Sequence, residues 1–533
     1  MPIPTLLPHL LDEAAQRWPS AVALCAGAQR QDYAALHAAV HQCAQGLLAL
    51  DVARGERVAV WLDKSLPMVQ ACFGSAQAGA VFVPVNPVLR PEQVVHVLVD
   101  SGAGVLVTSR ERLALLAPRL VNCPALRHVV VTGGEASERP AALPARLSLL
   151  DWAALVQAGA RAPHRIVDQD MAAILYTSGS TGSPKGVVLS HRNLVAGASS
   201  VASYLDNQPS DILLAALPLS FDAGFSQLTT AFLSGACVVL LNYLLPRDVL
   251  SAMARERVTG LTAVPPLYIQ LAQLEWPEAI GTHLRYFANT GGHMPRETLD
   301  ALRQRVPRAR PFLMYGLTEA FRSTYLPPEQ VDRRPDSIGQ AIPNAEILVL
   351  REDGSPCAVD EPGELVHRGA LVTLGYWNDP LRTAERYRPL PARAGGLPLP
   401  ELAVYSGDTV RRDAEGFLYF IGRRDEMIKS SGYRISPTEV EDIVYGTGLV
   451  AECAAFGVPH ATLGQVVHLV VAAAPVPDGA AVLAACRAAM PAYMLPACVH
   501  VHAGELPRNP NGKIDRAWLR QHYGVATEAR GER

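Results

Sequence analysis

Between residues 57 and 108 short apolar runs alternate with helical stretches in a way that leaves few folds open. Val58–Leu62 is apolar, a helical stretch follows through Ala80, Val81–Val85 is apolar, a second helical stretch starts at Pro91, and Val105–Thr108 closes the series. This βαβαβ spacing predicts a largely parallel sheet covered by helices, with ligands held by loops at the carboxyl ends of strands. Further strand-like segments at Met171–Leu175, Ile212–Ala216, Cys237–Leu241, Tyr286–Ala288 and Phe312–Tyr315 are each followed by polar or glycine-bearing loops. Several such loops are therefore expected to face one cleft.

At 533 residues the chain is too long for one ordinary domain. The texture changes near residue 346: Glu346–Leu350, Gly363–His367 and Gly416–Phe420 read as β-hairpin material, a β-rich subdomain attached to the βαβ-built part. The charged segment Gly422–Glu426 lacks apolar periodicity, and the pattern starts afresh beyond it. There a hairpin-like Met427–Ser436, a helix opened by Pro437 with acids in its first turn, strand-like Ala451–Val458 and Val466–Ala473, and a helix ending near Met490 compose a small α+β unit. The expected α/β architecture is thus a large N-terminal domain over 1–421, a connection at 422–426 and a small C-terminal domain over 427–533.

A formal net charge of −3 gives no electrostatic footprint for nucleic acid. Nine scattered cysteines without C-x-x-C spacing indicate neither a disulfide framework nor a zinc site. The N-terminus lacks a cationic signal region, and no window reaches about 18 uninterrupted apolar residues. The expectation is a soluble, cytoplasmic enzyme, with the oligomeric state left open.

The richest local signal is Tyr176–Gly186, with three glycines, five serine or threonine hydroxyls and one lysine directly after an apolar strand. Glycines turn backbone N–H groups toward oxygen atoms, hydroxyls add donors and an ammonium adds a compact charge, which suits a polyphosphate. The chain holds four lysines (Lys64, Lys185, Lys429 and Lys513) among 47 basic residues, and three of them sit beside glycine-rich turns. A nucleoside-triphosphatase P-loop requires Gly-Lys-Ser/Thr entering a helix. Here Pro184 precedes Lys185 and Gly186 follows it, so that form is excluded.

Tyr176–Gly186 resembles the phosphate-loop signature of the adenylate-forming superfamily, which includes acyl- and aryl-CoA ligases, peptide-synthetase adenylation domains and luciferases. Four further segments match in the family's order: Tyr315-Gly316-Leu317-Thr318-Glu319, Tyr405-Ser406-Gly407-Asp408, Gly422–Asp425 through Lys429–Arg434, and Pro510-Asn511-Gly512-Lys513. Within the superfamily, Tyr315–Glu346 is also similar to acyl-CoA ligases encoded with bacterial exosortase systems. The resemblance covers essentially the whole chain and implies an AMP-forming acyl-CoA synthetase. Such an enzyme activates a small-molecule carboxylic acid, whether fatty, aryl or amino acid, with MgATP and passes the acyl group to a thiol supplied in trans by coenzyme A or by the phosphopantetheine of a carrier protein.

Carried over residue by residue, the resemblance implies that Thr177, Ser178, Gly179, Ser180, Thr181, Gly182 and Lys185 hold phosphate oxygens, joined around the nucleotide by Gly291, Gly292, Tyr315 and Gly316. It places Thr318 and Glu319 in catalysis, Asp408 and Arg423 at the ribose, Lys513 as the catalytic lysine, Asp425 at the hinge, Lys429 and Gly432 along the thiol channel, and Phe221, Asp222 and Met314 in the acid pocket. The residue chemistry agrees. Glu319 offers a hard carboxylate for Mg²⁺ against phosphate oxygens, or an acid at a helix start. Tyr315 offers a flat face for adenine. A carboxylate at Asp408 can accept two hydrogen bonds from a diol. Lys513, on a proline- and glycine-flanked tip, suits neutralisation of charge developing on phosphoryl oxygens. With Lys513 in the small domain and the phosphate loop in the large one, a mobile C-terminal domain is expected.

The acid pocket is less decided. Many aryl- and acyl-CoA ligases carry a histidine near the position of Phe221, and this chain has none there. Phe221-Asp222-Ala223 is instead similar to amino-acid-activating domains, whose matching aspartate pairs with the substrate ammonium. Asp222 therefore reads either as an amine partner, in an enzyme loading a separate carrier protein, or as a helix N-cap.

Overall fold

The computed structural model describes residues 4–133, 139–177, 184–391, 399–423, 426–430, 433–460, 463–473, 478–491, 494–509 and 513–524. It divides into two compact units, Met1–Ile347 with His367–Val404, and Leu348–Val366 with Tyr405–Arg533. The β-rich strands that the sequence attached to the large domain are thus grouped mostly with the C-terminal part.

The first unit contains two sheets. One runs, in spatial order, Ser148–Asp151, His128–Thr132, Val105–Ser109, Arg57–Trp61, Val81–Pro84, Met171–Thr177 and Lys185–Ser190. Its pairings are parallel except the last, an antiparallel hairpin formed by the two strands that flank the glycine-rich loop. The predicted βαβαβ run is present, with strands Arg57–Trp61, Val81–Pro84 and Val105–Ser109 and helices Leu66–Gln77 and Pro91–Ser101. The second sheet carries Val22–Ala26, Cys237–Leu240, Ile212–Ala215, Gly260–Ala263, Tyr286–Asn289 and Arg310–Tyr315 as parallel neighbours, with the antiparallel strand Thr324–Leu326 beyond Arg310–Tyr315.

Helix Asp222–Ser234 is buried on nearly every face from Ala223 to Phe232, the signature of a helix enclosed by other layers. Phe225 stacks on Phe82 at 4.8 Å and on Phe73 at 5.7 Å, joining this helix to the first sheet and to helix Leu66–Gln77. Such aromatic burial fixes the start of the helix, and with it Asp222. Gly224 is required there, because a Cβ would lie 1.8 Å from the Pro218 carbonyl oxygen.

In the second unit, Leu402–Arg412 and Leu418–Arg423 form an antiparallel hairpin, and Ile428–Ser430 pairs with Tyr433–Ile435 as the sequence predicts. Glu452–His460 and Gly464–Ala472 form a long antiparallel pair, with Cys498–Val501 added in parallel. Ser436 caps helix Pro437–Tyr445 by accepting from the Glu439 N–H. All nine cysteines are free thiols. Among the described residues no helix is long and apolar enough to cross a membrane, and no group of three or more His, Cys, Asp or Glu side chains suits a metal ion.

Candidate active site

The hairpin brings Thr177 opposite Lys185 and Tyr176 opposite Gly186, so the glycine-rich segment connects the paired ends of two strands. Ser178, Gly179, Ser180, Thr181 and Gly182 lie outside the described residues. The base of the loop is firmly built. The Tyr176 hydroxyl donates to Asp100 at 2.5 Å, the Trp377 N–H donates to the Gly186 carbonyl at 2.7 Å, and a Cβ on Gly186 would come within 2.6 Å of Ile174.

Lys185 Nζ stands 4.7 Å from the centre of the Tyr376 ring, and the Tyr376 hydroxyl donates to Glu319 Oε1 at 2.5 Å. The tyrosine thus ties the loop lysine to the acidic residue. Burial together with the Glu319 charge pushes the Tyr376 phenol well above its ordinary range, which keeps it a donor. Thr373 holds the Glu319 backbone, donating from N–H at 3.0 Å and from Oγ1 at 2.9 Å to its carbonyl. A single carboxylate fixed in this way fits a Mg²⁺ ion that takes its remaining oxygen ligands from phosphate and water.

Thr318 opens the short turn Thr318–Ala320 just past strand Arg310–Tyr315. The chain then makes an uncommon move, with Phe321 at φ 57°. A bulky residue at positive φ is strained and is held only by its surroundings. The Phe321 ring, fully buried, occupies the space above Gly197, where a Cβ would sit 2.4 Å from it. This wedge turns the next residue, Arg322, into the interior at 2% exposure. Gly316 packs beneath, its missing Cβ only 3.1 Å from Arg322 Cα.

Asp222 is the first residue of its helix, and Phe221 occupies the cap position without a side-chain cap bond. The aspartate accepts from the Ala223 N–H at 2.7 Å and faces Arg322, with Oδ2 3.6 Å from the guanidinium. Met314 receives the Tyr204 hydroxyl on its sulfur at 3.0 Å. Apolar Val201, Leu205 and Leu213 together with Thr230, Met314 and Arg322 line a cavity of about 10 Å³ beside this pair, and neither Phe221 nor Asp222 is among its lining residues. Gly291 follows strand Tyr286–Asn289 at φ 77°, and Asn289 donates to the Gly292 carbonyl at 2.8 Å.

In the second unit the hairpin register sets Asp408 opposite Arg423, with 3.7 Å between carboxylate and guanidinium. Gly407, at φ 73°, gives its N–H to Glu364 at 3.0 Å, and Ser406 Oγ accepts from the Asp408 N–H at 3.0 Å. Lys513 is exposed next to the Arg508–Ile514 bridge, and the Asn509 side chain takes the Lys513 N–H at 3.1 Å. Lys429 lies in strand Ile428–Ser430, while Asp425 and Gly432 fall outside the described residues.

Two residues of this arrangement escaped the sequence reading. Tyr376 lies beyond the motifs, and its Gly-Tyr-Trp context was the only signal. Arg322 follows Ala320-Phe321 in a chain rich in arginine, so nothing local marked it as buried.

A model of the AMP-binding enzyme family matches residues 11–377, and a model of the AMP-binding enzyme C-terminal domain matches 439–513. The chain is 29% identical to a linear gramicidin synthase polypeptide of Brevibacillus parabrevis over 95% of its own length, and spans only 9% of that protein. It is 32% identical to feruloyl-CoA synthase of Amycolatopsis sp, covering 95% of this chain and 96% of the relative. Among solved structures it is similar to o-succinylbenzoate coenzyme A synthetase of Bacillus subtilis in complex with ATP and magnesium ion, with 27% identity, a TM-score of 0.80, and 96% and 99% of the two chains covered. The chain therefore belongs to the AMP-binding enzyme family, the adenylate-forming superfamily of ATP-dependent, AMP-forming ligases that includes the acyl-CoA synthetases.

Proposed function

We propose that the chain is an acyl-CoA ligase of two steps: a carboxylate and MgATP give acyl-AMP and pyrophosphate, and the thiol of coenzyme A then gives the thioester and AMP. The observation that carries this reading is the linked set Lys185, Tyr376 and Glu319, one cation and one acid held in register at the base of the glycine-rich loop. Lys185 supplies positive charge for phosphate oxygens, and Tyr376 fixes the Glu319 carboxylate for the ion that accompanies them. Magnesium, when bound, neutralises charge on the phosphates during displacement. Lys513 stabilises charge developing at the α-phosphoryl group, and Asp408 with Arg423 receives the ribose. Residues 422–426 act as the hinge at Asp425 between the adenylation and thioester steps, with Lys429 and Gly432 serving the thiol.

Activation of an amino acid for a separate carrier protein is the second reading, supported by the similarity to linear gramicidin synthase. Arg322 weighs against it, because this guanidinium already supplies the cation that the reading assigns to a substrate amine at Asp222. ATP–pyrophosphate exchange over a panel of carboxylic and amino acids tests both, followed by thioester assays with coenzyme A or a pantetheinylated carrier protein. Acid-dependent exchange followed by CoA thioester is the expected result. Exchange confined to amino acids, with transfer only to the carrier, would replace the first reading by the second.

A further inference from the structure

Cys25 and Cys237 are 212 positions apart in the chain, yet the second sheet sets them side by side. Strands Val22–Ala26 and Cys237–Leu240 are parallel neighbours with Leu24 opposite Val238, so the two cysteines emerge on the same face, two positions out of step. Their sulfurs are 3.5 Å apart, close enough for one thiol to donate to the other. On the other flank the antiparallel strand Gln29–Asp32 places Arg30 directly opposite Cys25. The guanidinium is held there by the Gly27 carbonyl at 2.7 Å and by Glu256 at 2.7 Å, and at 41% side-chain exposure it marks the rim of the sheet.

A thiolate, not a thiol, is the nucleophile in sulfur chemistry, and a neighbouring donor and cation favour it. The Cys237 thiol, and after it the Arg30 charge, hold Cys25 below its ordinary value, while burial and Glu256 oppose them. Cys237 is raised in turn, first because its proton is given to Cys25 and then by burial. The nearby Tyr33 phenol is buried and raised as well, and it donates to the Ala231 and Ala236 carbonyls. Burial raises the remaining seven cysteines, Cys43 to about 12 and Cys123 to about 11. Cys25 is therefore the thiol that is set apart. It is 5% exposed and Cys237 is half-buried, which admits a small uncharged oxidant and excludes a bulky one.

We infer that Cys25 and Cys237 form a redox modification site, a dithiol that reacts with hydrogen peroxide through Cys25 and closes to a disulfide through Cys237. The Cys25 sulfur attacks one peroxide oxygen, the O–O bond breaks, hydroxide leaves, and Cys25 becomes a sulfenic acid. The Cys237 sulfur then attacks that of Cys25, hydroxide leaves again, and the protons released by the two thiols turn both hydroxides into water. Two thiols lose two electrons in all, and one peroxide is reduced to two waters. A short movement of the side chains brings the sulfurs from contact to the bonded distance of about 2.0 Å. The product fastens strand Val22–Ala26, which follows helix Leu7–Arg17, to the parallel strands of the sheet.

The test treats the full chain, reduced and then freed of reductant, with a small excess of hydrogen peroxide, and reads the products by alkylation, intact mass and peptide mapping. The wild type should lose two alkylatable thiols and yield one linked peptide pair containing Cys25 and Cys237, restored by dithiothreitol. Cys237→Ser should stop at the sulfenic acid on Cys25, captured there by dimedone. Cys25→Ser should consume peroxide at least about tenfold more slowly and give neither product. The wild-type map decides the matter even if a variant folds poorly. Absence of the linked pair, oxidation that begins at another cysteine, or dimedone capture in Cys237→Ser anywhere but Cys25 would overturn the inference.

Discussion

Two of the arginines that face a buried or nearly buried carboxylate, one from each unit, are built differently. Arg516 of the second unit donates to both oxygens of Glu441 at 2.7 Å, and the same carboxylate takes the Ala455 N–H at 2.7 Å. Helices Pro437–Tyr445 and Arg516–Tyr523 and strand Glu452–His460 are joined through that one carboxylate. Arg322 of the first unit is more deeply buried, stands 3.6 Å from Asp222 and lines a cavity. Both leave Nε unmet. The difference lies in the acceptor: Glu441 is bound on both oxygens by Arg516 at 2.7 Å, whereas Asp222 takes the Ala223 N–H and stands 3.6 Å from Arg322.

The largest effect should come from breaking the tight pair. Arg516→Ala leaves Glu441 buried and uncompensated, and the second unit should lose about 3 to 5 kcal/mol in denaturant unfolding followed by a probe in that unit. Acidification gives the next largest effect, and it falls on the first unit. His191 and His367 are buried and held at about 4 against an ordinary 6.5, in each case because burial penalises the charged ring. The Leu7 N–H donates to His191 Nδ1 at 3.1 Å, which requires the neutral ring. In the unfolded chain these groups take up protons near 6.5, in the folded chain only near 4, so the stability they confer is present above pH 6.5 and lost as pH falls toward 4. Each contributes at most about 3 kcal/mol, and hydrogen exchange at pH 5 against pH 7 should show the segments around 191 and 367 opening first.

Smaller still, Arg322→Met should cost under about 2 kcal/mol, because Asp222 at 15% side-chain exposure retains some access to water. A loss as large as that of Arg516→Ala would erase the distinction between the two pairs. Tyr376→Phe removes one donor from Glu319 and should weaken use of MgATP by about five- to tenfold, read as KM for ATP across magnesium concentrations, with the fold unchanged. An unaltered KM would remove Tyr376 from the nucleotide site.

The alternation between residues 57 and 108 revealed the parallel sheet because strands buried on both faces must be apolar throughout, and the helices between them carry their own periodicity. The same logic found strands at Ile212, Cys237, Tyr286 and Phe312. The hairpin after the glycine-rich loop was not anticipated, since Lys185–Ser190 is too short for periodicity to type. Motif residues such as Glu319 and Lys185 were legible because their spacing is local. Tyr376, 57 positions from Glu319, and Arg322, which meets Asp222 from another element, were not. Their meaning comes from packing: the Phe321 wedge over Gly197 turns an ordinary-looking arginine inward.

The most direct test of the account is ATP–pyrophosphate exchange over the panel of carboxylic and amino acids, in the wild-type enzyme and in Lys513→Ala. The account predicts acid-dependent exchange in the wild type and no exchange with any acid in Lys513→Ala. No exchange with any acid in the wild type, or full exchange in Lys513→Ala, would contradict it.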